Sequence, residues 1–140
     1  MERTARLAKT SVSSGRQQAV LCARIADDIK GDDIVILDLR RVSYITDFFV
    51  IATAQNPRQM LAIAQEIMTQ MKKLGVRLLG AEGLQYGHWI LLDYADFVVH
   101  VFEPQYRKVY DLDLVWGDAK KIEWRVAAVK PRSVKPSARS

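Results

Sequence analysis

The sequence predicts an α/β (α+β) domain, a mixed sheet of about five strands with helices packed against it. Three observations carry that prediction. Apolar residues recur at helical spacing over 16–30 and again from 57 to 74; short runs of β-branched and aromatic residues flank the second stretch; and the last two runs stand too close together for a crossover connection. A β-α-β unit followed by a hairpin accounts for all three.

The first helix, 16–30, gathers Cys22, Ile25, Ala26 and Ile29 on one stripe and stops at Gly31. Runs 34–39 and 48–53 read as buried neighbouring strands joined by a polar link, 40–47. Asn56 then offers an N-cap, and Pro57 fills the first helical position, where its missing N–H costs nothing. Met60, Ala64, Ile67, Met71 and Leu74 make one stripe of this second helix, and Gly75 stands where a left-handed cap is needed. The methionines at 60, 68 and 71 are core filler rather than ligands. Runs 76–81, 88–93 and 97–102 supply the remaining strands, the last two as a hairpin. Asp111 is expected to cap a short helix running toward Trp116, with Asp113 stabilising its positive end.

A chain of 140 residues with 49% hydrophobic content can bury one sizeable core, so a single domain is expected. No apolar run reaches the roughly 18 residues that a membrane span needs, and no apolar signal run comes after the first residues, so a cytoplasmic protein is expected. The single cysteine, Cys22, suggests neither a disulfide framework nor structural zinc, and a buried thiol is the expectation. Neither a metal nor a cofactor is implied.

The net charge of +5 is unevenly spread. Residues 1–16 carry +3 and residues 120–140 carry +6, whereas 17–119 hold ten Lys or Arg against fourteen Asp or Glu, a balance of −4. The reading is a flexible N-terminal tail at 1–15, a domain at 16–119, and a basic, disordered C-terminal tail at 120–140. An acidic body suits a basic protein partner better than a bare phosphate backbone.

With Ala95-Asp96 as a two-residue loop, the hairpin pairs Tyr94 with Phe97, Asp93 with Val98, Leu92 with Val99, Leu91 with His100, Ile90 with Val101 and Trp89 with Phe102. One face then receives Ile90, Leu92, Tyr94, Phe97, Val99 and Val101 and should meet the helices. The other receives Trp89, Leu91, Asp93, Val98, His100 and Phe102. Large aromatics set among a few polar groups have the character of interface anchors, although a further helix over this face would make Trp89 ordinary core.

Several blocks resemble the ribosomal silencing factors, the Iojap-like proteins, in order and spacing. They are Ser43-Tyr44-Ile45-Thr46-Asp47-Phe48-Phe49-Val50-Ile51-Ala52-Thr53, Pro57-Arg58-Gln59, Glu82-Gly83, the hairpin from Trp89 to Phe102, Tyr110-Asp111-Leu112, and Leu114-Val115-Trp116-Gly117-Asp118-Ala119. The resemblance covers about residues 17 to 119. It implies a fold similar in outline to nucleotidyltransferases, without known catalytic activity. It implies, as partner, ribosomal protein L-fourteen of the large ribosomal subunit, and as action a steric block to small-subunit association that represses translation. It places the contact at the Trp-containing strand and its turn, at Trp89, Asp93 and Tyr94, and the hairpin pairing sets His100 and Phe102 beside them; with Leu91 of the same strand and Asp96 of the turn, these are the expected partner-binding residues. Ala95 departs from the family's usual glycine, and Gln55 from a usually small residue.

Two rival functions have some support. A nucleotidyltransferase-like enzyme could use Asp111-Leu112-Asp113 as a metal-binding pair, but no glycine-rich phosphate loop accompanies it, and His88 and His100 lack catalytic spacing. An RNA-binding ribosome-assembly factor could use Lys120, Lys121, Arg125, Lys130, Arg132, Lys135 and Arg139 against ribosomal RNA. The same apolar-aromatic face could also pair with itself in a homodimer when the ribosome is absent, and the sequence does not decide this.

Overall fold

The computed structural model describes residues 14–85 and 88–125. Ser14 opens helix α1, Gly15–Asp28, with a capping box: its hydroxyl accepts the Gln17 N–H at 3.1 Å while the Gln17 side chain reaches back to the Ser14 backbone. The other end closes through a hydrogen bond from Gly31 N–H to Ala26 O at 2.8 Å. Lys30, with φ 69°, takes the left-handed position there, and Gly31 is needed for a different reason: a Cβ on it would lie 2.9 Å from Ala26 O.

Strands β1, Asp32–Asp38, and β2, Phe48–Thr53, pair antiparallel, and helix α2, Pro57–Lys73, comes next. Asn56 caps α2 by accepting the Gln59 N–H at 2.9 Å, and Gly75, with φ 77°, ends it as the sequence predicts. The expected strand at 76–81 shrinks to β3, Gly80–Glu82, because the Val76 N–H is used in closing α2 on Met71 O at 2.9 Å. The hairpin β4, Trp89–Asp93, and β5, Phe97–Phe102, has every predicted pair of its ladder. Two short helices, α3 at Pro104–Val109 and α4 at Leu112–Val115, lead to β6, Lys120–Lys121.

The sheet order is β3-β4-β5-β2-β1-β6, with β2 and β5 parallel at its centre and every other pairing antiparallel. On one face α1 and α2 bury Cys22, Ile25, Ile63, Ile67 and Met71 against Ile36, Val50, Leu92, Phe97 and Val99. On the other, Tyr106, Leu112 and Trp116 from the α3 to α4 segment pack on Leu37, Leu39, Ile51 and Phe102. Arg107 ties this second layer down by donating to Thr53 Oγ1 at 2.8 Å, and the 2.9 Å contact of His88 Nδ1 with Glu103 holds its start.

The expected domain boundary at 119 needs correction. β6 pairs with β1, and beyond it Trp124 is buried in the α1 core, donating Nε1–H to Ile34 O at 3.1 Å while Arg24 holds its carbonyl at 3.0 Å. The rest of the predicted C-terminal tail, 126–140, and the N-terminal tail, 1–13, lie outside the described residues. Over 14–125 the balance becomes fourteen Lys or Arg against fifteen Asp or Glu, or −1, so the body is close to neutral rather than acidic overall. Lys120, Lys121 and Arg125 gather at the β6 edge, and Glu82, Asp93 and Asp96 at the β3 to β5 side.

The turn of the hairpin carries a strained residue, Ala95, at φ 71°. Left-handed backbone costs an L-residue about 1–2 kcal/mol, and glycine's greater unfolded freedom takes back about 0.4–1 kcal/mol of any relief. Ala95→Gly is therefore expected to raise stability by about 0.5–1 kcal/mol, read as a higher urea midpoint at unchanged slope.

Candidate protein-docking site

Alternation along β4 turns Trp89, Leu91 and Asp93 to the face away from α1 and α2, successive members about 6.6 Å apart. The α3 to α4 layer covers the centre of that face and reaches β4 at Trp89, which packs against Tyr110, while Leu91 and Asp93 lie beyond its edge; all three side chains are half-buried. Glu82 of β3 pairs with Leu91 and is exposed, which sets a carboxylate beside the strip. Leu79, also exposed, donates its N–H to Asp93 O at 2.7 Å and extends the apolar rim.

Trp89 is fixed from three sides. Its ring centroid lies 4.8 Å from those of both Phe102 and Tyr110, and its Nε1–H donates to His100 Nδ1 at 3.1 Å. Its backbone is approached closely by Gly83, at φ 84°, where an added Cβ would lie 1.9 Å from Trp89 O. No side chain fits there, which gives Glu82-Gly83 a physical reason: the connection into β4 folds directly onto the strand it leads into.

The predicted binding residues separate into two groups. Trp89, Leu91, Asp93 and the exposed Asp96 are reachable, and Asp93 also stabilises the turn by accepting the Ala95 N–H at 2.8 Å. His100 and Phe102 are buried under α3 and α4, which corrects the expectation that they face a partner. Tyr94 is buried too, stacked on Phe97 at 5.1 Å on the helix-covered face. Burial pushes its hydroxyl well above the ordinary tyrosine range, with Cys22 adding to the effect, and that oxygen has no partner among the described residues. Sequence reasoning passed over Glu82 and Tyr110; the first is explained by the β3 register, the second by its stacking on Trp89.

The remaining candidates for chemistry are dispersed. Burial alone raises the Cys22 thiol far above its usual range. Among the described residues no three His, Cys, Asp or Glu side chains gather to hold a metal, and the side chain of Asp113 is outside those described.

His100 accepts from Trp89 through Nδ1, so its neutral form carries the proton on Nε2, an atom with no partner among the described residues. Burial lowers its pKa from 6.5 to about 3. The unfolded chain therefore binds a proton that the folded chain refuses, so the stabilising contribution is full above pH 6.5 and is lost as pH falls toward 3. Between pH 8 and pH 5 the loss is expected to be about 2 kcal/mol, and His100→Gln, which keeps an acceptor but does not titrate, should flatten it in urea titrations at each pH.

Comparison with known proteins identifies the architecture. A family model described as ribosomal silencing factor during starvation matches residues 12–140. The Ribosomal silencing factor RsfS of Chromobacterium violaceum is 37% identical over 113 residues, 81% of this chain and 92% of that protein. That of Bacillus subtilis is 37% identical over 99 residues, 71% of this chain and 84% of that protein. The chloroplastic protein Iojap of Zea mays is 38% identical over 105 residues, 75% of this chain and 46% of that longer protein. A crystal structure of a Chromobacterium violaceum protein superposes with a TM-score of 0.72 at 35% identity, covering 84% of this chain and 98% of that one. On the family match and these relatives together, the chain belongs to the ribosomal silencing factor family, RsfS or Iojap-like.

Proposed function

We propose that this chain represses translation by binding the large ribosomal subunit, through ribosomal protein L-fourteen, and sterically blocking association with the small subunit. It acts in the cytoplasm, on ribosomes, by occupying a surface rather than by catalysis. The observation that carries this reading is the half-buried strip of Trp89, Leu91 and Asp93 flanked by the exposed Glu82. An indole and a leucine offer apolar area to a partner, and the adjacent carboxylates favour a cationic one. Family membership supplies the ribosomal context.

The position of the β6 cations bears on the two rival partners. Lys120, Lys121 and Arg125 sit at the β6 edge, four strand spacings or about 19 Å from β4, so any ribosomal RNA they touch is a separate contact from the strip. The same strip could pair two copies off the ribosome, in which case dimer formation and large-subunit binding compete.

The test mixes purified protein with isolated large and small subunits and tracks joined ribosomes by sedimentation. The protein should travel with large subunits and deplete joined particles; migration with neither subunit would overturn the reading. Leu91→Ala with Glu82→Lys should weaken large-subunit binding by about thirtyfold, on the scale of an interface anchor, while circular dichroism stays unchanged. Trp89→Ala should weaken it at least as much, with Trp89→Phe as the packing control, because the Trp89 ring also supports Phe102.

A further inference from the structure

The sequence predicts a polar link between β1 and β2, yet Tyr44 on it is fully exposed and Ile45 is 90% exposed. Exposed apolar residues scattered singly need no explanation; adjacent ones on a pinned backbone do. Val42 and Ser43 both donate N–H to Leu39 O, at 3.0 and 2.9 Å, and the Ile45 N–H is held by Ser43 Oγ at 3.1 Å. On the far side Leu39 N–H meets Asp47 O at 2.8 Å, and the buried Thr46 donates its hydroxyl to Ala95 O at 2.8 Å. With the backbone tied to β1 and to the hairpin turn, Tyr44 and Ile45 project outward and cannot fold back onto the core. A rigid apolar projection has little ordering entropy left to lose on binding.

Two features around this knuckle indicate what it meets. Its base borders a groove of about 370 Å³ lined by Val42 on one wall and by Val115, Trp116 and Ala119 on the other, and Val115 is itself largely exposed. The bond from Asp47 N–H to Asp96 O, 3.0 Å, brings the exposed carboxylates of Asp47 and Asp96 to the same end of the sheet as Asp93. The cations at this end are Arg41, Arg40, which is taken up by Asp38 at 2.7 Å, and Arg16, which follows the Gly15 that packs on Asp96. Four carboxylates, counting Asp38, against three cations leave this end with an excess of one negative charge.

We infer that Tyr44 and Ile45 form a second anchor, which inserts into an apolar cleft of a cationic protein surface while Asp47, Asp93 and Asp96 meet the cations at the rim of that cleft. This rests on the proposed function and deepens it: the knuckle precedes β2 at the turn end of the sheet, offset from Trp89 by about 13 Å along the strands and, two strands over, by about 10 Å across them. One partner surface can span both anchors. A second copy of the chain docking symmetrically would set the same carboxylates against each other, and a phosphate backbone would be repelled by them.

The experiment measures binding of the full chain to isolated large subunits for the wild type, for Tyr44→Ala with Ile45→Ser, and for Asp47→Lys with Asp96→Lys. Circular dichroism and urea midpoints report folding, and sedimentation velocity reports self-association. The knuckle variant should lose tenfold or more in affinity with its fold intact, because the altered side chains touch nothing in the core, and the charge variant should also weaken. Unchanged affinity of a folded knuckle variant overturns the inference while leaving the proposed function standing; absence of wild-type binding removes the proposed function itself. Tighter binding by the charge variant would assign the surface to nucleic acid. A wild-type dimer that falls apart in the knuckle variant, with large-subunit affinity unchanged, would assign it to a second copy, and either result overturns the cationic-protein reading.

Discussion

The parallel contact of β2 with β5 governs the architecture. Because these strands run side by side in the middle of the sheet, both of their faces must be kept from water, and their sequences, Phe48–Thr53 and Phe97–Phe102, are accordingly apolar almost without alternation. One helical layer cannot satisfy that demand. The chain meets it with α1 and α2 on one side and with the short α3 to α4 segment on the other, and the second layer is narrower than the sheet. The part it fails to cover, along β3 and the Leu91 to Asp93 end of β4, belongs to the candidate docking strip.

Much of this was legible from residue order. The helix stops, the N-cap at Asn56, the entire β4 to β5 register and the sorting of Ile90, Leu92, Phe97 and Val99 into the helix-covered core come from local periodicity and turn chemistry, because the residues that decide them lie close together in the chain. The burial of His100 and Phe102 was not legible in the same way. Treating the hairpin as two-faced assumed an outer strand, whereas β5 is internal; its unbroken apolar run, and that of β2, was the available signal. The tail boundary failed for a related reason. Cations at 120 and 121 resemble solvated chain, yet a two-residue edge strand needs only its backbone, and the single buried indole of Trp124 secures the chain just beyond it.

The site itself was partly visible. Trp89, Leu91 and Asp93 share a face by strand alternation, which sequence gives directly, while the contribution of Glu82 depends on a three-residue pairing across a connection whose length hides it. The knuckle at Tyr44 and Ile45 was hidden by its surroundings: within a short polar link an aromatic and a β-branched residue have no periodicity that reveals their exposure, and the bonds that hold them outward, such as that from Thr46 to the Ala95 carbonyl, join parts far apart in the chain.

The carboxylates around the hairpin turn have a consequence for choice of landing place, if the proposed docking holds. Near a particle made chiefly of nucleic acid, that end of the molecule would be pushed off much of the surface it encounters, and an island of basic protein would let it settle. Selectivity of that kind comes from rejection: the many wrong surfaces are refused at a distance, before shape has any chance to discriminate among them.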